Sequence, residues 1–98
     1  MYARLAKFSV GPGFETKAQE LAKELGPLTS VQPGCQAVTI FGDHGDGEYG
    51  IYVLWDTQEH ADAAEVVVRP MLNKQLAGNV TAPPEMRLYE VVWSNSEF

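Results

Sequence analysis

The chain has 98 residues, 45% of them hydrophobic, and carries thirteen acidic against seven basic residues, for a net charge of −6. That length makes one domain, taken as residues 1–98, with a modest core. The acidic balance argues against nucleic acid, which needs clustered Lys and Arg to neutralise phosphates, and against an anionic membrane surface.

The first strand is expected over residues 2–10, an apolar run that leads into Gly11-Pro12-Gly13. A helix follows. Phe14, Ala18, Leu21, Leu25 and Leu28 recur at helical spacing and form one apolar stripe. Pro27 removes a helical hydrogen bond, so the helix should stop near Leu25, or kink and resume at Pro27. Gln32-Pro33-Gly34-Cys35 is a turn into a second strand over residues 35–41, rich in strand formers. A glycine and acid loop, residues 42–48, joins it to a third strand over residues 49–55.

The second helix starts near Thr57. Asp56 or Thr57 can cap it, and Glu59 stands three residues after Asp56 as a capping box requires. Ala61, Ala64, Val68 and Leu72 recur at helical spacing. Pro70 should break or restart this helix, which then runs to about Ala77 with Gly78 as its stop. Thr81-Ala82-Pro83-Pro84 links it to a last strand over residues 86–93. The order is β-α-β-β-α-β. The fold class is therefore α+β, ferredoxin-like, with a four-stranded antiparallel sheet and two helices on one face.

Alternation assigns the two faces of that sheet. Ile51, Val53 and Trp55 point one way on the third strand, and Tyr52 and Leu54 the other. Leu5, Tyr52, Leu54, Tyr89, Val91 and Trp93 would share the face that the helices leave bare. So large an apolar patch implies a homodimer with its sheets packed face to face. The alternative is a sticky monomer, or a face covered by the tail from Ser94 to Phe98.

One cysteine, Cys35, cannot form an internal disulfide, so the cytoplasm is the expected compartment. The first residues are already patterned as a strand, and no signal peptide is expected. Residues 25–42 lack charge, but Gly26, Pro27, Pro33 and Gly34 interrupt them, so no membrane span is expected.

Val10-Gly11-Pro12-Gly13, Gln32-Pro33-Gly34-Cys35, Trp55-Asp56-Thr57 and Arg87-Leu88-Tyr89-Glu90-Val91 occur in an order that resembles the antibiotic biosynthesis monooxygenase (ABM) domain superfamily. The likeness covers residues 2–93. It implies a dimeric α+β barrel. It also implies one of several activities: cofactor-free oxygenation of polyketide quinols, haem degradation, or isomerisation of small signalling molecules. Haem-degrading relatives use an Asn on the first strand, a Trp ending the third and a His on the second helix. Here Trp55 is present, but the strand position is Ala6, and residues 71–78 hold no His. Ile51 stands where some oxygenating relatives carry Asn. The resemblance thus points to a cofactor-independent monooxygenase acting with dioxygen on a small aromatic or quinol-like molecule. The other reading is a non-catalytic dimeric module that binds a small ligand.

The pocket is expected between helices and sheet, near Phe8, Val38, Ile40, Trp55 and Leu72. A cavity of a few hundred Å³ there, with His60 or Arg4 pointing in, would favour an enzyme, and a solidly packed site the binding module. Trp55 is either a flat wall with a free indole N–H or a core residue. His60 lies in the first turn of the second helix, whose positive end favours neutral imidazole and suits a general base. It is the candidate catalytic residue, against the plainer reading of a solvated side chain. His44, with Asp43, Asp46 and Glu48, fits no calcium or zinc spacing, and turn chemistry accounts for it. No metal and no cofactor are expected. Cys35 has no activating base nearby in sequence and reads as a small buried thiol. Arg4 and Glu90, on otherwise apolar strands, are a candidate ion pair lining a cavity.

Overall fold

A computed structural model describes residues 1–95. The elements run β1 (Tyr2–Ser9), α1 (Glu15–Ser30), β2 (Cys35–Asp43), β3 (Glu48–Trp55), α2 (Gln58–Leu76) and β4 (Glu85–Glu90). The sheet has the order β2-β3-β1-β4, and every neighbouring pair is antiparallel. This is the ferredoxin-like βαββαβ arrangement expected from the pattern.

Both helices run through their prolines. Pro27 lies inside α1 and Pro70 inside α2. The two prolines are exposed, as are Lys23 and Val66, whose carbonyls lose their partners, so water can satisfy what the ring removes. The buried stripe of α1 ends at Thr29 rather than Leu28, which is only half-buried. Thr57 caps α2 by accepting a hydrogen bond from the His60 amide at 3.1 Å. Gly78, at φ +76, follows that helix closely.

The last strand is shorter than its apolar alternation implies. Glu90 stands opposite Tyr2, the first residue of β1, and the Val91 amide then bonds the Met1 carbonyl at 2.9 Å. β4 has no other partner strand, so its ladder ends where β1 begins. Val91 and Trp93 consequently lie beyond the sheet, and Trp93 is 80% exposed. Of the tail considered as a cover, residues 96–98 fall outside the described residues.

The helix-facing side of the sheet divides into two halves. At one end Phe8 and Tyr49 stack with centroids 5.9 Å apart, and Phe14 meets Tyr49 edge-on at 5.4 Å. At the other end the buried side chains are small: Ala6 on β1, with Ala61 and Ala64 on α2. On the opposite side of the sheet Phe41, Tyr52 and Tyr89 are exposed, and Leu5 is half-buried. Leu54 is an exception, buried to 3% beside Ala3 and Ala37. The Arg87 guanidinium lies 5.0 Å over the Tyr89 ring, a cation–π contact on that open side.

Candidate functional site

The small side chains at the second end of the core leave a pocket of roughly 40 Å³ between α2 and the sheet. Its floor is Arg4 and Ala6 of β1, Ile51, Val53 and Trp55 of β3, and Met86 of β4. Its roof is Ala61, Ala64, Glu65, Val68, Arg69 and Leu72 of α2, with Leu25 and Thr29 closing it from α1. Space of this size holds only a few water molecules. It is far below the few hundred Å³ set as the mark of an enzyme pocket, and Arg4 reaches it whereas His60 does not.

The predicted pocket residues are therefore divided. Trp55 and Leu72 line the cavity. Phe8 is committed to the aromatic cluster, because the register sets it opposite Tyr49. Val38 and Ile40 sit on the edge strand β2 and border a shallow groove with Ala22, Gly26, Pro27 and Ser30 of α1. A β-bulge after Cys35 lets Cys35 and Val38 both pack toward the helices.

Trp55 is 2% exposed, and its Nε1–H is buried without a partner among the described residues. Thr29 Oγ1 is buried and unpartnered in the same lining. A donor or hydroxyl left so costs stability, and native structures keep few of them.

The charged wall is a chain of alternating ions. Arg4 Nη2 donates to Asp62 Oδ1 at 3.0 Å. Arg4 Nε lies 3.3 Å from Glu65 Oε1, yet its N–H makes no hydrogen bond among the described residues. Glu65 Oε2 pairs with Arg69 Nε at 3.1 Å, one helical turn away. Arg69 then reaches across to Met86 Sδ at 2.8 Å, which ties α2 to β4 over the pocket. Arg4 thus pairs with α2, not with Glu90: the register sets Leu88 opposite Arg4 and Glu90 opposite Tyr2, two residues away. Residues 4 and 65 are distant in sequence, yet strand alternation and helical spacing bring both to one lining.

His60 stands apart, with its imidazole 43% exposed. Its Nδ1 is 2.7 Å from Asp56 Oδ1, and this hydrogen bond holds the Asp56 carboxyl below its usual range. Both side chains pack over Gly34, whose φ of +83 and lack of a Cβ permit the approach. The same residues let the turn before β2 meet the start of α2, where the Asp56 amide bonds the Gly34 carbonyl at 3.0 Å. His44 has a structural task that its loop did not reveal. Its Nδ1 is 2.6 Å from the hydroxyl of the buried Tyr49. Burial, with Glu15 and Asp43 nearby, pushes the Tyr49 phenol up, so it stays neutral as a hydrogen-bond partner. Burial also pushes the Cys35 thiol up, which disfavours the reactive thiolate. No group of metal-ligating side chains is found among the described residues.

The sequence profile of the antibiotic biosynthesis monooxygenase family matches residues 1–65. The chain belongs to this family. No curated protein matches it by sequence. Among solved structures it is similar to a Nitrosomonas europaea protein provisionally assigned as an antibiotic biosynthesis monooxygenase, at 17% identity and TM-score 0.82, covering 95% of this chain and 100% of that one. SnoaB, a cofactor-independent oxygenase from Streptomyces nogalater, is 16% identical with TM-score 0.77, over 98% of this chain and 97% of that one. Rv0793 from Mycobacterium tuberculosis is 16% identical with TM-score 0.76, over 97% and 98%. At these identities the likenesses establish a common fold. Ala6, Ile51 and Trp55 share one lining.

Proposed function

We propose that this ABM-family chain is a cofactor-independent monooxygenase acting on a small aromatic or quinol-like molecule. The observation that carries the reading is the buried indole N–H of Trp55, without a partner among the described residues, in the wall of a pocket whose other side is charged. An aromatic ring fits against the indole, and an oxygen on that ring accepts a hydrogen bond from its N–H. The substrate supplies the electrons: a quinol and dioxygen become a hydroxyquinone and water, with no outside reductant. The protein contributes a dry, oriented site and an acceptor for a proton. We assign that proton to Glu65 in place of His60, because Glu65 lines the pocket and His60 does not. The pocket must widen to admit a ring, and the Arg69 contact with Met86 is the tie to be released.

The working form is proposed to be a cytoplasmic homodimer, joined through the open face that carries Leu5, Phe41, Tyr52 and Tyr89. The small size of the pocket favours a second reading, a dimeric module that holds a small ligand without chemistry. Oxygen consumption with reduced naphthoquinones separates the two. The parent consumes oxygen, Trp55→Phe and Glu65→Gln lose most of the rate, and His60→Ala keeps it. A parent that binds the quinol without consuming oxygen establishes the binding module. Loss in His60→Ala with activity kept in Glu65→Gln returns the proton to His60.

A further inference from the structure

We infer that Arg4 is the anion-recognising residue of this pocket. Its Nε–H, together with the indole N–H of Trp55, binds an ionised oxygen of the ligand, and Glu65 fills that place beforehand. The inference rests on the small-molecule reading above and specifies the charge state in which the ligand is held.

Arg4 is an expensive residue in this position. Its side chain is 17% exposed on a strand face that is otherwise apolar. Withdrawing a guanidinium from water is costly, and pairing offsets that cost only with good geometry. The geometry here is incomplete. Asp62 takes Nη2, while Nε–H makes no hydrogen bond although Glu65 is 3.3 Å away. The opposite positions on the neighbouring strands are Val53 and Leu88, which supply no acceptor.

Glu65 is held twice, by Arg4 and by Arg69. It can therefore leave Arg4 and still be paired. An incoming anion that takes Glu65's place at Arg4 meets a guanidinium whose Nε–H has no hydrogen bond among the described residues, while Glu65 keeps Arg69. A charge-assisted hydrogen bond of this kind is about twice as strong as a neutral one. The Trp55 N–H offers a second donor and the Thr29 hydroxyl a third group, all in one lining. The rest of that lining is aliphatic, including Ala6, Ile51 and Leu72. This set selects a flat apolar body with one ionised oxygen, a phenolate or enolate. It disfavours polyols, whose extra hydroxyls would be left unpaired.

The test uses 4-nitrophenol and the larger 4-nitro-1-naphthol, whose neutral and ionised forms absorb at different wavelengths. Bound to the parent, the dye ionises about one pH unit lower than when free, the mark of phenolate held about tenfold more tightly than phenol. Arg4→Met, which keeps an aliphatic stem, still binds the dye and loses the shift. A bound dye that ionises at its free pH or higher overturns the role of Arg4 and leaves the pocket standing. So does an unchanged shift in Arg4→Met. If that variant does not fold, the parent's own Arg4 Nε–H resonance decides: it moves when phenolate is added, and an unmoved resonance overturns the inference. Failure of both dyes to bind overturns the small-molecule reading itself, and the inference with it.

Discussion

Thr29 offers the sharpest separation of stability from function in this molecule. It is 1% exposed, in the last turn of α1, and its Oγ1 has no partner among the described residues. Thr29→Val replaces that hydroxyl with a methyl of the same shape, so no cavity opens and no side chain must move. A buried hydroxyl left unpaired costs about 1–3 kcal/mol. Valine and threonine differ little in helix propensity. The substitution should therefore stabilise the fold by about 1 kcal/mol, which in a domain of this size raises Tm by about 4–8 °C. Thr29→Ser is the control. It keeps the hydroxyl and removes a buried methyl, and should lower stability by about 1 kcal/mol. Thermal unfolding followed by circular dichroism reads both. The same Thr29→Val should weaken 4-nitrophenolate binding, because the pocket loses one of its few polar groups. A Thr29→Val chain no more stable than the parent would refute the reasoning. It would mean that the hydroxyl holds a water within the roughly 40 Å³ space and is satisfied after all.

Tyr52→Asp, which places a charge at the centre of the open face, should convert a sedimenting homodimer to single copies at micromolar concentration; a parent that already sediments as a single copy disproves the proposed assembly. Gly42→Ala and Gly50→Ala each drive a new Cβ into an aromatic ring, that of Tyr49 and of Phe41 respectively. Tyr49 is buried and wedged by two phenyl rings, so the first should cost about 1–3 kcal/mol by urea titration. Phe41 is 47% exposed and free to swing away, so the second should stay within about 0.5 kcal/mol; the reverse order would contradict this packing. The hydrogen bond from His60 depresses the Asp56 carboxyl below its ordinary value of 3.8. Its stabilisation is then fully present above about pH 4 and lost as the pH falls through the folded value. Asp56→Asn should flatten that part of the acid unfolding curve, and an acid limb identical to the parent's would exclude the pair as its cause.

The order of elements was legible because the hydrophobic period changes cleanly from two to 3.6 and back. Element ends were not. The prolines at 27 and 70 fall on solvated helix faces, and sequence alone does not say which carbonyls water can reach. The last strand was overrun because alternation persists through Trp93, whereas a ladder needs a partner, and β1 begins opposite Glu90. Strand face and helix stripe put Trp55 and Leu72 beside the cavity between α2 and the sheet. Phe8 stacks on Tyr49 instead, because which residue lies across from it depends on the β1–β3 register, which the sequence does not show. The ionic wall was missed for the same reason. One available signal was a lone arginine facing inward on an apolar strand, with Asp62, Glu65 and Arg69 at steps of three and four on the helix above it.

That wall bears on why the pocket exists. A core made only for stability would fill the space above Ala6 with larger apolar side chains and leave out the guanidinium. Replacing buried ion pairs by apolar residues of similar volume is often neutral or stabilising. This chain instead keeps three alanines, one strand arginine, an unbonded indole N–H and an unbonded hydroxyl around one space. Each of these choices costs a little, and none is needed by the neighbouring aromatic half of the same core, which is packed by Phe8, Phe14 and Tyr49. The two halves share one sheet and one pair of helices, so general demands of the fold act on both alike. The difference between them is what the proposed ligand would require: room made by small side chains, a flat indole wall, and donors that have no partner among the described residues.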